Sequence, residues 1–339
     1  MIQEDQRSLI FVHIGPSLPK HALASYSRAA STWNGPVTAL VNRSALPAKS
    51  ALSFDVKFLE DFYDPKDFQS VSSGQTWGSN FRDGFFRKCL ERFFVLHQFA
   101  EYSKLDSFFH AESDVLTFDV PQLGISLDAL GRGLFVPRDD INRAIGSLVY
   151  VNSISILHTF VNFAAHSNQF ANEMEALAAF LDAEPDNAHA LPTIRQWENP
   201  PPTWKTIDPR DVGAIFDSAG LGQWVAGIDP RNTPFLVRNH FVNEKDLISF
   251  FDLELRFSAQ NNAMTVRASK DGEAYRVANL HVHSKFRWIF SSPRMLALLI
   301  AVSNWPIALP LEWAPSKWWA ECYKAARRLA IVLGKNRRS

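Results

Sequence analysis

The chain has 339 residues, the span of one large or two modest domains and ample for a sizeable core. Lysine plus arginine (35) balance aspartate plus glutamate (35), and 46% hydrophobic with 21% charged residues is an ordinary globular composition that argues against a polyelectrolyte binder of nucleic acid. The two cysteines, Cys89 and Cys322, lie far apart and exclude a disulfide framework or a thiolate zinc site, which points to a reducing, cytoplasmic setting.

In chain order, MIQEDQRSLIFVHIG places acidic residues before a short apolar run and has no small-residue cleavage site, so it reads as an opening strand rather than a secretory signal. Ser8 to His13 is strand-like, Gly15-Pro16 breaks it, Pro19 to Thr32 predicts a helix and Pro36 to Val41 a second strand. A third strand is expected at Val56 to Leu59. Apolar residues at 81, 85, 89, 90, 93, 96 and 99 predict a helix from Phe81 to Lys104, with Asn80 and Asp83 at its start. Strands at Ser107 to Ala111 and Gly131 to Pro137 follow. Gly146 to Ala183 reads as helical, with Phe160, Phe163, Phe170 and Phe180 on apolar faces, and the proline-rich EPDNAHALPTIRQWENPPPTW as a long loop. Asp211 to Gly227 predicts a helix, and Leu253 to Val266 and Tyr275 to His283 predict strands. The charge-free stretch Met295 to Leu311 carries two prolines and falls short of the roughly 20 apolar residues of a membrane span.

This alternation predicts an α/β fold: a Rossmann-like, mostly parallel central sheet flanked by helices, a more β-rich second half and C-terminal helices. Residues 1–140 are expected to form one half of a catalytic domain, 141–292 the other, and 293–339 a helical segment. Ligands of such sheets bind outside the carboxyl ends of the strands.

Motifs for a phosphate-binding P-loop, a zincin and an α/β-hydrolase are absent, and GLGQWVAG carries Val225 where a dinucleotide fingerprint needs glycine. Three signals remain. Glu112-Ser113-Asp114 ends the apolar strand SFFHA, and carboxylates one residue apart on extended backbone face the same side, where they can hold a hard divalent cation. Taken alone, such a pair is more often a solvated turn or a helix cap. Period two places His281, His283 and Lys285 on one strand face, an imidazole to complete a metal site and an ammonium for phosphate, although a single histidine is more often structural. Asp217, among the small residues of FDSAGLGQWVAGIDPRN, is either a carboxylate open to substrate or part of an ordinary helix with Gly220 and Gly222 for close packing.

The order of these elements, with the acidic pair, the FDSAGLGQWVAGIDPRN segment and the late HVHSK, resembles nucleotide-sugar-dependent glycosyltransferases of the GT-A fold, notably bacterial surface-polysaccharide enzymes, over residues 8 to 290. The resemblance implies that Glu112 and Asp114 stand at the family's Asp-x-Asp motif and hold Mn2+ or Mg2+ on the donor diphosphate. Glutamate at the first position departs from that motif and leaves Asp114 the safer ligand. It further implies a metal ligand in His283 or His281, a phosphate contact in Lys285 and a base for the acceptor hydroxyl in Asp217. Arg87 and Lys88, with Arg82, are candidates to assist the phosphates or form a solvated basic face, and Asn42 and Arg43 follow the second strand where a nucleotide base or ribose would lie. The implied partners are a UDP- or GDP-sugar and a glycan or lipid-linked acceptor, with no nucleic acid.

The composition also has 27 Phe and 10 Trp against 6 Tyr, an excess that suits core packing, sugar stacking or a membrane interface. From Ala314 to Ser339, seven basic residues against one acidic give +6, leaving 28 basic against 34 acidic before them. That tail, with Trp313, Trp318, Trp319 and Tyr323 in or beside it, suits either an anionic membrane surface at the inner face of the cell membrane or a packed C-terminal helix with a frayed end. Two alternatives stand beside the transferase: a non-catalytic glycan-binding or scaffold protein with Trp197, Trp204 and Trp224 as stacking platforms, and a sugar-phosphate nucleotidyltransferase, for which HIGPSLPKH is a poor phosphate loop.

Overall fold

A computed structural model describes residues 6–46, 52–72, 84–166, 170–194, 206–227, 253–268 and 272–304. Three segments read as strand, helix and strand form β1 (Ser8–His13), α1 (Lys20–Thr32) and β2 (Val37–Val41). Along β1 the side chains alternate: Leu9 and Phe11 pack toward Ala22 and Tyr26 of α1, whereas Ile10 and Val12 join Phe93 and Phe94 on the opposite side. Both faces are covered, so β1 reads as a continuous apolar run. Next come β3 (Asp55–Phe58), α2 (Pro65–Ser72), α3 (Phe85–Ser103) and β4 (Phe108–Ala111).

Strands β1 to β4 run parallel in the order β3-β2-β1-β4. After β5 (Val115–Thr117) and α4 (Leu123–Ala129), the sheet is extended by β6 (Leu134–Asp140), β7 (Arg143–Ala144) and β8 (Leu148–Val151). β8 lies antiparallel between β4 and β6. The central sheet is therefore mixed but mostly parallel, with helices on both faces. The aromatic excess lies largely inside it: Phe93 meets Phe160 edge to face, and Phe160 meets Phe180.

Three expectations need correction. Gly146 to Ala183 is not uniformly helical: it opens with β8, whose LVYV run is wholly buried, and continues with α5 (Ile154–His166) and α6 (Glu173–Ala183). A four-residue apolar run carries no period that separates strand from helix, and burial between β4 and β6 decides it. The proline-rich segment contains β9 (Ala188–Leu191), parallel to β6. Asp211 to Gly227 is not one helix either. A turn of helix at Pro209–Val212 ends at Gly213, whose φ of 68° suits glycine, before β10 (Ala214–Ile215) and a second short helix, Gly220–Ala226.

A second sheet joins β10 to β11 (Leu253–Ser258), β12 (Ala263–Ala268) and β13 (Ala274–Val277) in the order β10-β13-β12-β11, the more β-rich second half. A two-stranded ribbon pairs β14 (Asn279–His281) with β5. Helices Arg287–Ser291 and Pro293–Ser303 follow. Among the described residues no helix is long and apolar enough to cross a membrane. Asn80, Arg82 and Asp83, Trp197 and Trp204, and the basic tail from Ala314 lie outside the described residues.

Candidate metal centre

Chain direction brings the acidic pair to the carboxyl end of β4, the end where open α/β sheets bind ligands. Ala111 closes β4, and Val115 begins β5 after a tight turn in which the Val115 N–H donates to the Glu112 carbonyl at 3.1 Å. Antiparallel pairing in the ribbon sets His281 opposite Val115, one residue from Asp114, and the Val282 N–H donates to the Asp114 carbonyl at 2.8 Å. Register alone thus carries His281 across the long intervening sequence to the acidic pair.

His281 Nε2 lies 3.2 Å from Glu112 Oε2 and 3.4 Å from Asp114 Oδ1. One ligand atom from each of the three residues falls within 4.8 Å of the others. His281 Nδ1 stands 3.0 Å from the Ser218 carbonyl, which can only accept, so Nδ1 carries the proton and Nε2 faces the carboxylates. Once Nε2 gives up its proton to an incoming ion, that is the tautomer a metal ligand requires, held by a backbone partner as such histidines usually are. Neighbouring ligands of an octahedral cation with bonds of roughly 2.1 Å sit about 3 Å apart, so the three atoms need only small adjustments to enclose an ion.

Two cations complete the cluster. Arg92 Nη2 is 2.5 Å from Glu112 Oε1, and Lys285 Nζ is 3.1 Å from Asp114 Oδ2. Each carboxylate therefore offers one oxygen to His281 and the other to a permanent cation. Burial opposes ionisation of both, but Arg92 and then His281 hold Glu112 below the usual carboxylate range, and Lys285 and then His281 hold Asp114 well below it. Burial likewise opposes charge on His281; Asp114, followed by Glu112, overcomes it and raises the imidazole to about 9.

The geometry separates the two candidate histidines. His281, not His283, stands between the carboxylates; the His283 ring packs on that of His281, centroids 4.2 Å apart. Strand periodicity is not the cause, since β14 ends at His281. A turn in which the Lys285 N–H donates to the Val282 carbonyl, with Lys285 at φ 55°, returns the lysine to Asp114.

Asp217 is held by backbone. Its carboxylate, 2% exposed, accepts the Leu221 N–H at Oδ1 (3.0 Å) and the Gly222 and His281 N–H groups at Oδ2 (2.8 Å each). Asn279 clamps the Asp217 peptide, accepting its N–H at 3.1 Å and donating to its carbonyl at 2.9 Å. Burial raises the Asp217 carboxyl to about 6 against the pull of the His281 N–H. With both oxygens accepting backbone N–H groups, Asp217 fastens the Gly220–Ala226 helix to the strand end that carries His281, and it is buried rather than open to an acceptor.

The remaining candidates do not converge on the cluster. Asn42 accepts the Gly15 N–H and donates to Glu60, while Arg43 pairs with Asp61 at 2.6 Å and covers the Phe58 ring. Arg87 lies over Phe68. Lys88 faces His13 at the carboxyl end of β1, where its charge, after burial, helps to lower the imidazole. Trp224 is 2% exposed in the core beneath the second sheet and offers no stacking surface.

Sequence reasoning missed Arg92 and Glu173. One signal was present: Arg92 sits three residues after Cys89 and four before Leu96, inside the apolar stripe of α3, where a charge requires a partner. Glu173 Oε1 lies 3.8 Å from Arg92 Nη2, and burial raises this carboxyl to about 7 despite the opposing Arg92 charge. Because the folded state holds that proton more tightly than an ordinary carboxyl at 4.5, stability is full below pH 4.5 and falls as pH rises to about 7. Replacing Glu173 by Gln is expected to remove that slope, about 3 kcal/mol in total, so that the difference between the urea midpoints of variant and native protein changes between about pH 4.5 and 7 and is constant above it.

No protein-family model and no curated protein matches the chain. Among solved structures it is similar to the glycosyltransferase PaToxG, with a TM-score of 0.33 and 8% identity over 53% of this chain and 70% of that one. It is also similar to the glycosyltransferase GlyE of Streptococcus pneumoniae TIGR4, at 0.34 and 10% over 57% of this chain and 46% of GlyE. An active-site mutant of LgtC gives 0.38 and 10% over 60% of this chain and 82% of that one. The chain spans less than half the length of GlyE.

Proposed function

We propose that this protein is a metal-dependent glycosyltransferase that moves a sugar from a nucleotide-sugar donor, a UDP- or GDP-sugar, to a glycan or lipid-linked acceptor of bacterial surface-polysaccharide type. The observation that carries the reading is the enclosure of His281 Nε2 by Glu112 and Asp114 at the carboxyl end of a parallel sheet, with a lysine at its rim. Two carboxylate oxygens and an imidazole nitrogen form a donor set for Mn2+ or Mg2+, and the imidazole favours Mn2+. When bound, such an ion supplies positive charge to a departing nucleoside diphosphate.

The chain's own residues do the rest. Arg92 fixes one Glu112 oxygen and so aims the other at His281. Ser218, through its carbonyl, and Asp217, through the His281 N–H, hold the imidazole in place. Lys285, whose side chain is 27% exposed, can turn from Asp114 toward a phosphate oxygen once a cation shares that carboxylate. Lys88, near enough to His13 at the end of β1 to help lower its imidazole, is a candidate to meet a diphosphate. On this reading residues 1–140 take the donor, 141–292 face the acceptor, and the basic tail rests on an anionic membrane at the cytoplasmic face.

Calorimetric titration of UDP- and GDP-sugars with and without Mn2+ tests it. One donor is expected to bind at least about tenfold more tightly with the metal. Equal binding in the presence of excess EDTA would sink the proposal.

A further inference from the structure

A second site lies between α1 and the Arg287–Ser291 helix. Helix α1 presents Lys20, Ser27, Arg28 and Ser31 along one face, and Arg287 and Ser291, one turn apart on the facing helix, complete a cavity of about 400 Å3. Three cations and three serines line it beside Leu23, Ala24, Phe290 and Pro293, and among the described residues no carboxylate does.

Arg28 is the telling residue. It is 9% exposed and rests over the Phe257 ring, its guanidinium carbon 5.7 Å from the centroid. Nη2 donates to Asn262 Oδ1 at 2.8 Å, and that amide is oriented by donating from Nδ2 to the Thr117 carbonyl. Nε and Nη1 are buried and, among the described residues, have no hydrogen-bond partner. A buried guanidinium ordinarily meets a carboxylate, because its N–H groups lose water on folding and need acceptors. Here the protein provides one neutral amide and leaves a lined space instead. Burial lowers the guanidinium to about 10, so it stays charged at neutral pH.

We propose that this cavity is an anion site that takes a phosphate group, drawn by the Arg28 charge that no carboxylate compensates and rimmed by Lys20 and Arg287. Ser31 and Ser291 donate to the Arg28 and Arg287 carbonyls of their own helices, which leaves the Ser27 hydroxyl beside the three cations as a donor to a tetrahedral oxyanion. The site is separate from the Glu112–Asp114–His281 cluster and does not depend on the transferase reading.

Titration with inorganic phosphate, at constant ionic strength against chloride, tests the proposal. The native protein is expected to bind phosphate saturably, and Arg28→Gln to weaken it by about tenfold or more. Lys20 and Arg287 are exposed, so the double variant Lys20→Gln/Arg287→Gln keeps the fold and should show a comparable loss even where Arg28→Gln disturbs packing. Asp114→Ala should bind phosphate as the native protein does. Absence of saturation, native affinity in both variants, or loss confined to Asp114→Ala would overturn the site. Sedimentation with phosphatidylcholine vesicles, with and without phosphatidic acid, identifies the source of the phosphate. Phosphatidate-dependent binding that free phosphate competes away and Arg28→Gln abolishes assigns a lipid headgroup, and phosphate binding without it assigns a soluble phosphate ester.

Discussion

Asp114→Ala is expected to weaken Mn2+ binding by about a hundredfold or more and to abolish any effect of the metal on donor affinity. The carboxylate is the junction of the site: His281 Nε2 lies 3.4 Å from one oxygen and Lys285 Nζ 3.1 Å from the other. Glu112 cannot compensate, because one of its oxygens is held by Arg92 at 2.5 Å. The donor set then falls from two carboxylates and an imidazole to one of each. The fold should survive, since Lys285 can turn to solvent and His281, without its largest stabilising charge, can become neutral. Calorimetry and the metal-induced shift in melting temperature read the effect. An equal shift in native and variant protein would show that the metal binds elsewhere.

Gly222→Ala carries the other large effect, on stability. A Cβ at this position would stand 1.9 Å from the His281 carbonyl oxygen and 2.9 Å from Asp217 Oδ2. Backbone oxygen cannot yield as a flexible side chain can, so the helix must move away, breaking the hydrogen bonds that Gly222 and His281 give to Asp217. A loss on the order of 4 kcal/mol is expected, measured as a fall in urea midpoint. Asp217→Asn isolates the electrostatic part. A carboxamide cannot accept on both arms, its NH2 would face a backbone N–H, and a loss of about 2–3 kcal/mol should follow. Stability unchanged within about 0.5 kcal/mol, joined to lost turnover, would return Asp217 to the role of base.

Both results bear on how much could be read in the chain beforehand. Alternation of apolar runs with helical stripes was enough for the α/β class, for β1, α1, β2 and most of α3, and for placing the acidic pair at a strand end. Short buried runs were not legible: LVYV of β8 and AI of β10 are strands only because neighbouring strands take up their hydrogen bonds. Glu112, Asp114 and a histidine of HVHSK were visible as residue types suited to a cation. Which histidine was not, because that depends on the register of β14 against β5.

Asp217 shows the limit most clearly. In sequence, a carboxylate among small residues suits an open site and an ordinary close-packed helix equally. In the fold, three N–H groups from two segments engage both its oxygens, and the glycine five residues later has room for nothing else. Arg28 is the converse case, an ordinary helical arginine in sequence and an uncompensated buried charge in space. What the sequence by itself determined is what local physics controls: periodicity, turn chemistry, and the presence of acidic, imidazole and basic groups. Tertiary structure alone decided which of them meet, because distance between remote residues, burial of a charge and the supply of hydrogen-bond partners are properties of packing and register, which no window of sequence contains.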